Sequence, residues 1–98
     1  MTYSKLNPNN GFEIRCGVTS ITIPQGQYSK YESVTFSPAF TKSNIVVVAT
    51  DNDWRTPYDA IPKISVLSKT QANFNLNIAL PTNSSATTIA IGWIAIAW

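Results

Sequence analysis

Apolar and polar residues alternate with a period of two along most of this chain. Residues 73–79 show it most plainly, with Phe74, Leu76 and Ile78 on one side and Asn73, Asn75 and Asn77 on the other. That is the pattern of a strand with one buried face. The same alternation sets Val34 and Phe36 against Ser33 and Thr35 over 31–37, Ile21 and Ile23 against Thr22 over 18–23, and Ile64 and Val66 against Ser65 and Ser68 over 63–68. Two further runs are apolar on both sides. One, 44–50, contains Ile45-Val46-Val47-Val48 and is expected to be a central strand. The other, 87–97, is followed by a terminal tryptophan, and it is too short to cross a bilayer as a helix of roughly 20 apolar residues. Gly92 and its isoleucines also disfavour helix. Its faces read Ile89, Ile91, Trp93, Ala95 against Ala90, Gly92, Ile94, Ile96, so both call for cover, one from an opposing sheet and one from a neighbouring subunit. Turn residues such as Pro24-Gln25-Gly26 separate the six runs, and none has the helical period. The expectation is an all-β fold, a six-stranded antiparallel β-sandwich.

Length and composition narrow this further. At 98 residues the chain is expected to hold one domain over 13–98, preceded by a polar, turn-rich arm or linker over 1–12. Only 12% of residues are charged, against roughly 25% in an average soluble domain, which favours an oligomer. The net charge of +2 is carried by scattered lysines and arginines, a pattern that argues against nucleic acid as a partner. Cys16 is a lone cysteine, expected to serve as a small buried apolar residue. No apolar signal-peptide core opens the chain and no segment is suited to membrane insertion. An extracellular or virion-associated location would then be reached by release or assembly, or as part of a longer chain.

With the strands placed, the sequence resembles the H-type lectin family and the related tip domains of bacteriophage tail fibres. The resemblance rests on Ser33-Val34-Thr35-Phe36 followed by Pro38-Ala39-Phe40, the valine strand 45–48, the Phe74 strand, and Gly92-Trp93-Ile94-Ala95-Ile96 near the end. In order and spacing these span roughly residues 17 to 97. The resemblance implies an H-type lectin-like sandwich, a parallel homotrimer, and binding of sugars such as N-acetylgalactosamine near subunit boundaries. The sugar site matches less well. Where the family has an acid before the Val-Thr-Phe strand, this chain reads Pro24 to Tyr31 without one. Lys63 stands near the position of a family arginine, whose planar fork it lacks, and no histidine follows the fifth strand.

The chain's own recognition chemistry is concentrated in the loop 51–59, Asp51-Asn52-Asp53-Trp54-Arg55-Thr56-Pro57-Tyr58-Asp59. Carboxylates that take paired hydroxyls and aromatics that stack on a sugar's C–H face are what glycan binding needs. Asp53, Trp54, Arg55, Tyr58 and Asp59, joined by Lys63 and Asn83, form the candidate ligand-binding set. The competing reading makes Trp54 a packing anchor, pairs Arg55 with Asp53 or Asp59, and leaves Asp51 and Asn52 as turn residues. The three asparagines of 73–79 are likewise either a solvated face or an amide ladder at an interface or binding surface. Asn83-Ser84-Ser85 matches a glycosylation acceptor but is read as a plain loop.

No metal or cofactor is expected. Asp51, Asp53 and Asp59 lack the glycine and distal glutamate of a dedicated calcium loop. Without a histidine, a serine or cysteine nucleophile lacks its usual base, and the chain is expected not to be an enzyme. Two functions of different kinds follow. One is a non-catalytic glycan-binding domain, such as the receptor-binding tip of a phage or prophage fibre. The other is a structural trimerising cap of a tail fibre or other surface assembly, without a sugar site.

Overall fold

The computed structural model describes residues 11–53, 61–81 and 86–98. The order of elements is β1 (Glu13–Ile23), β2 (Ser29–Thr35), β3 (Ile45–Asp51), β4 (Lys63–Lys69), β5 (Asn73–Ala79) and β6 (Thr87–Ala97). They form two three-stranded antiparallel sheets of order β1-β6-β3 and β2-β5-β4, with no helix among the described residues. The expected all-β sandwich is the observed fold.

Alternation along each strand decides what enters the core. Ile21 and Ile23 of β1, Phe74, Leu76 and Ile78 of β5, and Ile89, Ile91, Ala95 and Ala97 of β6 are fully buried between the sheets. Aromatic rings tie the two layers together. Trp93 of β6 meets Phe74 of β5 edge-on with centroids 5.2 Å apart, and Phe36 packs on both at 5.4 and 5.8 Å. Such tilted pairs add to the area they bury. Gly17, paired with Trp93 in the β1/β6 register, leaves space for the indole, because a Cβ there would lie 3.1 Å from it.

The segment between β2 and β3 is held to the start of β1 by polar contacts. Glu13 Oε1 accepts hydrogen bonds from the Thr41 hydroxyl at 2.8 Å, the Thr41 N–H at 2.9 Å and the Lys42 N–H at 3.0 Å. The Thr41 hydroxyl does most to hold the Glu13 carboxyl below its ordinary range. Burial opposes it, and the two backbone N–H groups and Arg15 reinforce it. Arg15 in turn donates to the Pro38 carbonyl and lies 4.9 Å over the Phe40 ring.

Several expectations change. Strand β1 begins at Glu13, five residues before the apolar alternation becomes visible, because pairing with β6 continues through Glu13↔Ala97. Strand β3 is an edge strand, and β6 is the central one of its sheet. The two-sided apolarity of β3 therefore has another cause: the outward face of the β1-β6-β3 sheet is apolar over the half away from Ser20, Thr22, Thr50 and Thr88. Cross-strand rows there read Ile14, Ile96, Val46 and then Cys16, Ile94, Val48. Cys16 is exposed on that face rather than buried. The cover expected for the second face of β6 is missing in the single chain, where Ile94 remains 43% exposed.

Candidate functional site

The register of the strands determines which loops are neighbours. Ile23 at the end of β1 pairs with Thr87 at the start of β6, and Asp51 at the end of β3 pairs with Ile91. In the other sheet Ser29 and Lys63, the first residues of β2 and β4, both pair with Ala79 at the end of β5. The connections 24–28, 52–62 and 80–86 thus leave the sandwich at one end. Sequence reading alone could not decide which strand ends are neighbours, and the pairing sets the ends of β1, β3 and β5 and the starts of β2, β4 and β6 on one side of the sandwich.

Each anchor at this end has a specific cause. In the first connection Gln27 N–H donates to the Pro24 carbonyl at 3.1 Å, and Gly26 takes a φ of 82°, the left-handed position of a tight turn. The Tyr28 carbonyl accepts the Leu80 N–H at 2.7 Å, which ties this turn to the end of β5. Asp51 Oδ1 accepts the N–H of Asp53 at 3.0 Å, a local turn of the kind aspartate favours. Asn52 N–H then donates to the Ala90 carbonyl at 2.8 Å, and Asp53 Oδ2 accepts the Ala90 N–H at 2.9 Å. The ladder between β3 and β6 is thereby prolonged by one side chain. Asp53 fills this backbone-capping role whether or not it also meets a ligand.

Of the predicted site residues, Asp53 and Lys63 are described. Trp54, Arg55, Tyr58, Asp59 and Asn83 lie outside the described residues. Lys63 is exposed at the first position of β4, on the outer face of the second sheet beside Ala79. Asp53 and Lys63 therefore belong to different sheets, one against β6 and the other on β4, with residues 54–62 between them in the chain.

The outer face of the β2-β5-β4 sheet continues from Lys63 as a hydroxyl-and-amide surface. Its cross-strand rows are Tyr31, Asn77, Ser65 and then Ser33, Asn75, Ser68. Asn75 Nδ2 donates to Ser68 Oγ at 2.8 Å, whereas the buried Oδ1 of Asn77 has no hydrogen-bond partner. A bulge between Val66 and Ser68 interrupts the pairing beside a shallow hollow of about 420 Å³ lined by Tyr31, Leu67, Ser68 and Asn75, among others.

Sequence reading missed two aromatic residues here. Tyr28 is 58% exposed at the loop end and Tyr31 is 70% exposed on the polar face. The available signal was an aromatic in a polar turn and another at an outward position of β2. A third, Trp98, borders a separate hollow of about 540 Å³ at the opposite end, with Asn44, Lys69 and Gln71.

No protein-family model and no curated protein matches this chain. Among solved structures, its fold is similar to part of the tailspike gp61 of Pseudomonas phage phi297, with a TM-score of 0.59 and 14% sequence identity. The match covers 87% of this chain but 15% of the tailspike chain. The class defined by this likeness is an antiparallel β-sandwich of a form that also occurs within a phage tailspike.

Proposed function

We propose that this chain is a non-catalytic carbohydrate-binding domain of H-type lectin-like form, acting as the receptor-binding tip of a phage or prophage fibre. In this reading a cell-surface glycan is held at the loop end of the sandwich, and the domain works as a parallel homotrimer. The observation that carries the reading is the convergence of the three connections on one end. The acid- and aromatic-rich segment 51–59 follows from the end of β3, and Lys63 at the start of β4 and exposed Tyr28 lie at that same end of the sandwich. An aromatic face beside carboxylates and a cation is the chemistry that takes a sugar ring and its hydroxyls. The absence of histidine from the sequence supports a binding role over nucleophilic catalysis.

A structural trimerising cap remains the second reading, favoured by the apolar outer face of the β1-β6-β3 sheet, which suits assembly without any ligand. A glycan array probed with the purified oligomer separates the two. The lectin reading expects binding that Trp54→Ala abolishes and Lys63→Ala weakens by roughly tenfold, equivalent to about 1.4 kcal/mol. Binding untouched by both substitutions would move the site elsewhere on the domain. A folded protein that binds nothing on the array would leave the cap as the better account.

A further inference from the structure

The surface that folding alone leaves unaccounted for is the outward face of the β2-β5-β4 sheet. Asparagine is a poor strand former, yet Asn73, Asn75 and Asn77 take the outward positions of its central strand. Asn77 also keeps a buried Oδ1 without a hydrogen-bond partner, which native folds rarely tolerate. The bulge in β4 acts on the same face. Unbroken alternation after Ser65 would set Leu67 opposite Asn75, and the extra residue sets Ser68 there instead, where its Oγ accepts the Asn75 amide at 2.8 Å. Re-aiming a side chain in this way is what bulges do beside functional sites. The hollow of about 420 Å³ lies at this point, lined by Tyr31, Glu32, Ser33, Leu67, Ser68 and Asn75. Tyr31 borders it and is 70% exposed.

We propose that this face is a saccharide site in its own right, separate from the loop end, which takes an uncharged glycan chain across the hollow with Tyr31 as its stacking platform. It goes beyond the function proposed above and does not use the loop-end site. Three observations select this occupant. Tyr31, Ser33, Ser65, Ser68, Asn75 and Asn77 carry hydroxyls or amides, groups that both donate and accept, as sugar hydroxyls do. They stand in rows ~7 Å apart along the strands and ~4.8 Å apart across them, a flat array suited to an extended chain. The phenol ring supplies an apolar face for the C–H side of a sugar. The charge also fits. Those six positions are uncharged, and among the described residues that line the hollow Glu32 alone carries a charge, a negative one that disfavours an anionic saccharide. A protein partner fits less well, because the cores of protein interfaces are poor in serine, and Ser33, Ser65 and Ser68 share this face with its asparagine amides.

The test is an array of neutral and sialylated glycans probed with the full chain and with Tyr31→Ala, Tyr31→Phe and Trp54→Ala, each checked for folding by circular dichroism. Glycans that bind are then titrated calorimetrically at low and high salt. The expected result is a neutral glycan whose affinity falls about tenfold in Tyr31→Ala, as loss of one stacking contact implies, and stays within about threefold in Tyr31→Phe. Trp54→Ala leaves that affinity unchanged, and raising the salt from about 50 to about 500 mM moves it less than about twofold, because no ion pair is screened. Binding untouched by Tyr31→Ala overturns this site; where Trp54→Ala abolishes that binding, the loop-end reading is kept. A glycan weakened by both substitutions runs from the loop end onto this face and overturns the separateness of the site. Binding confined to sialylated glycans, or steeply salt-dependent, overturns the uncharged ligand. A folded chain that binds no glycan overturns both readings. A change of oligomeric state in Tyr31→Ala by light scattering, without a change in glycan affinity, makes the face a protein contact and overturns the proposal. Should Tyr31→Ala not fold, Ser33→Arg, which crowds the hollow from an exposed position, takes its place with the same outcomes.

Discussion

Asp53 Oδ2 accepts the backbone N–H of Ala90 at 2.9 Å, so an acid of the candidate ligand loop is also part of the sheet edge. A charged acceptor on a backbone donor is worth more than a neutral one, and removing it leaves the donor without that partner. Asp53→Ala is expected to lower stability by about 1–3 kcal/mol, and Asp53→Asn by less than half as much, since the amide oxygen still accepts. Urea unfolding measures both. Equal losses for the two substitutions would show that the Ala90 contact is not what matters. Loss of glycan binding in Asp53→Asn at nearly unchanged stability would show that the carboxylate also contacts ligand.

The packing of Trp93 on Phe74 predicts two further losses. Phe74→Ala empties a fully buried position between the sheets and is expected to cost about 3–5 kcal/mol. Gly17→Ala adds a single methyl, but that carbon would sit 3.1 Å from the indole, so the ring has to shift, at about 1–3 kcal/mol. Near-ultraviolet circular dichroism should register the displaced indole in Gly17→Ala. An unchanged spectrum together with unchanged stability would mean that the indole yields freely.

Glu13 predicts an acid limb of stability. Its carboxyl is held below the ordinary range in the folded chain, first by the Thr41 hydroxyl. Protons therefore bind the unfolded state more readily. The contribution is fully present above about pH 5, beyond the unfolded carboxylate range, and is lost as pH falls through the folded value. Glu13→Gln should flatten the decline in urea midpoint between about pH 5 and pH 3. A parallel decline in the two proteins would sink this assignment.

Asn77 predicts a substitution without cost. Its buried Oδ1 has no hydrogen-bond partner, and asparagine is a poor strand former. Asn77→Val should leave stability unchanged or raise it by up to about 1 kcal/mol, because an unsatisfied acceptor is removed and a β-branched side chain is introduced. A loss above this size would reveal a role for the Asn77 amide nitrogen. Chemical denaturation at neutral pH is sufficient to read it.

Much of the fold was legible along the chain. The strands 73–79 and 87–97 were read with the bounds that the structure shows, because alternation around Phe74 and the apolar run around Trp93 are local signals bounded by turn residues. The start of β1 was less visible, since Glu13, Arg15 and Gly17 take inward positions without being apolar. The site was legible only as a loop composition. Nothing local announced that Asp53 caps Ala90, a partner 37 positions away, or that Tyr28 shares its end of the sandwich.

The sequence by itself determined the strands and which residues of each share a face, because a strand's side chains alternate with a period set by its own backbone. Only the tertiary structure decided that β6 is central and β3 lies at an edge, that Cys16 stands among exposed valines and isoleucines, and that the strand ends flanking three connections lie at one end. Those properties follow from the pairing of distant segments. Two-sided apolarity in β3 is visible along the chain, while which of its faces enters the core depends on which distant strands come to lie against it.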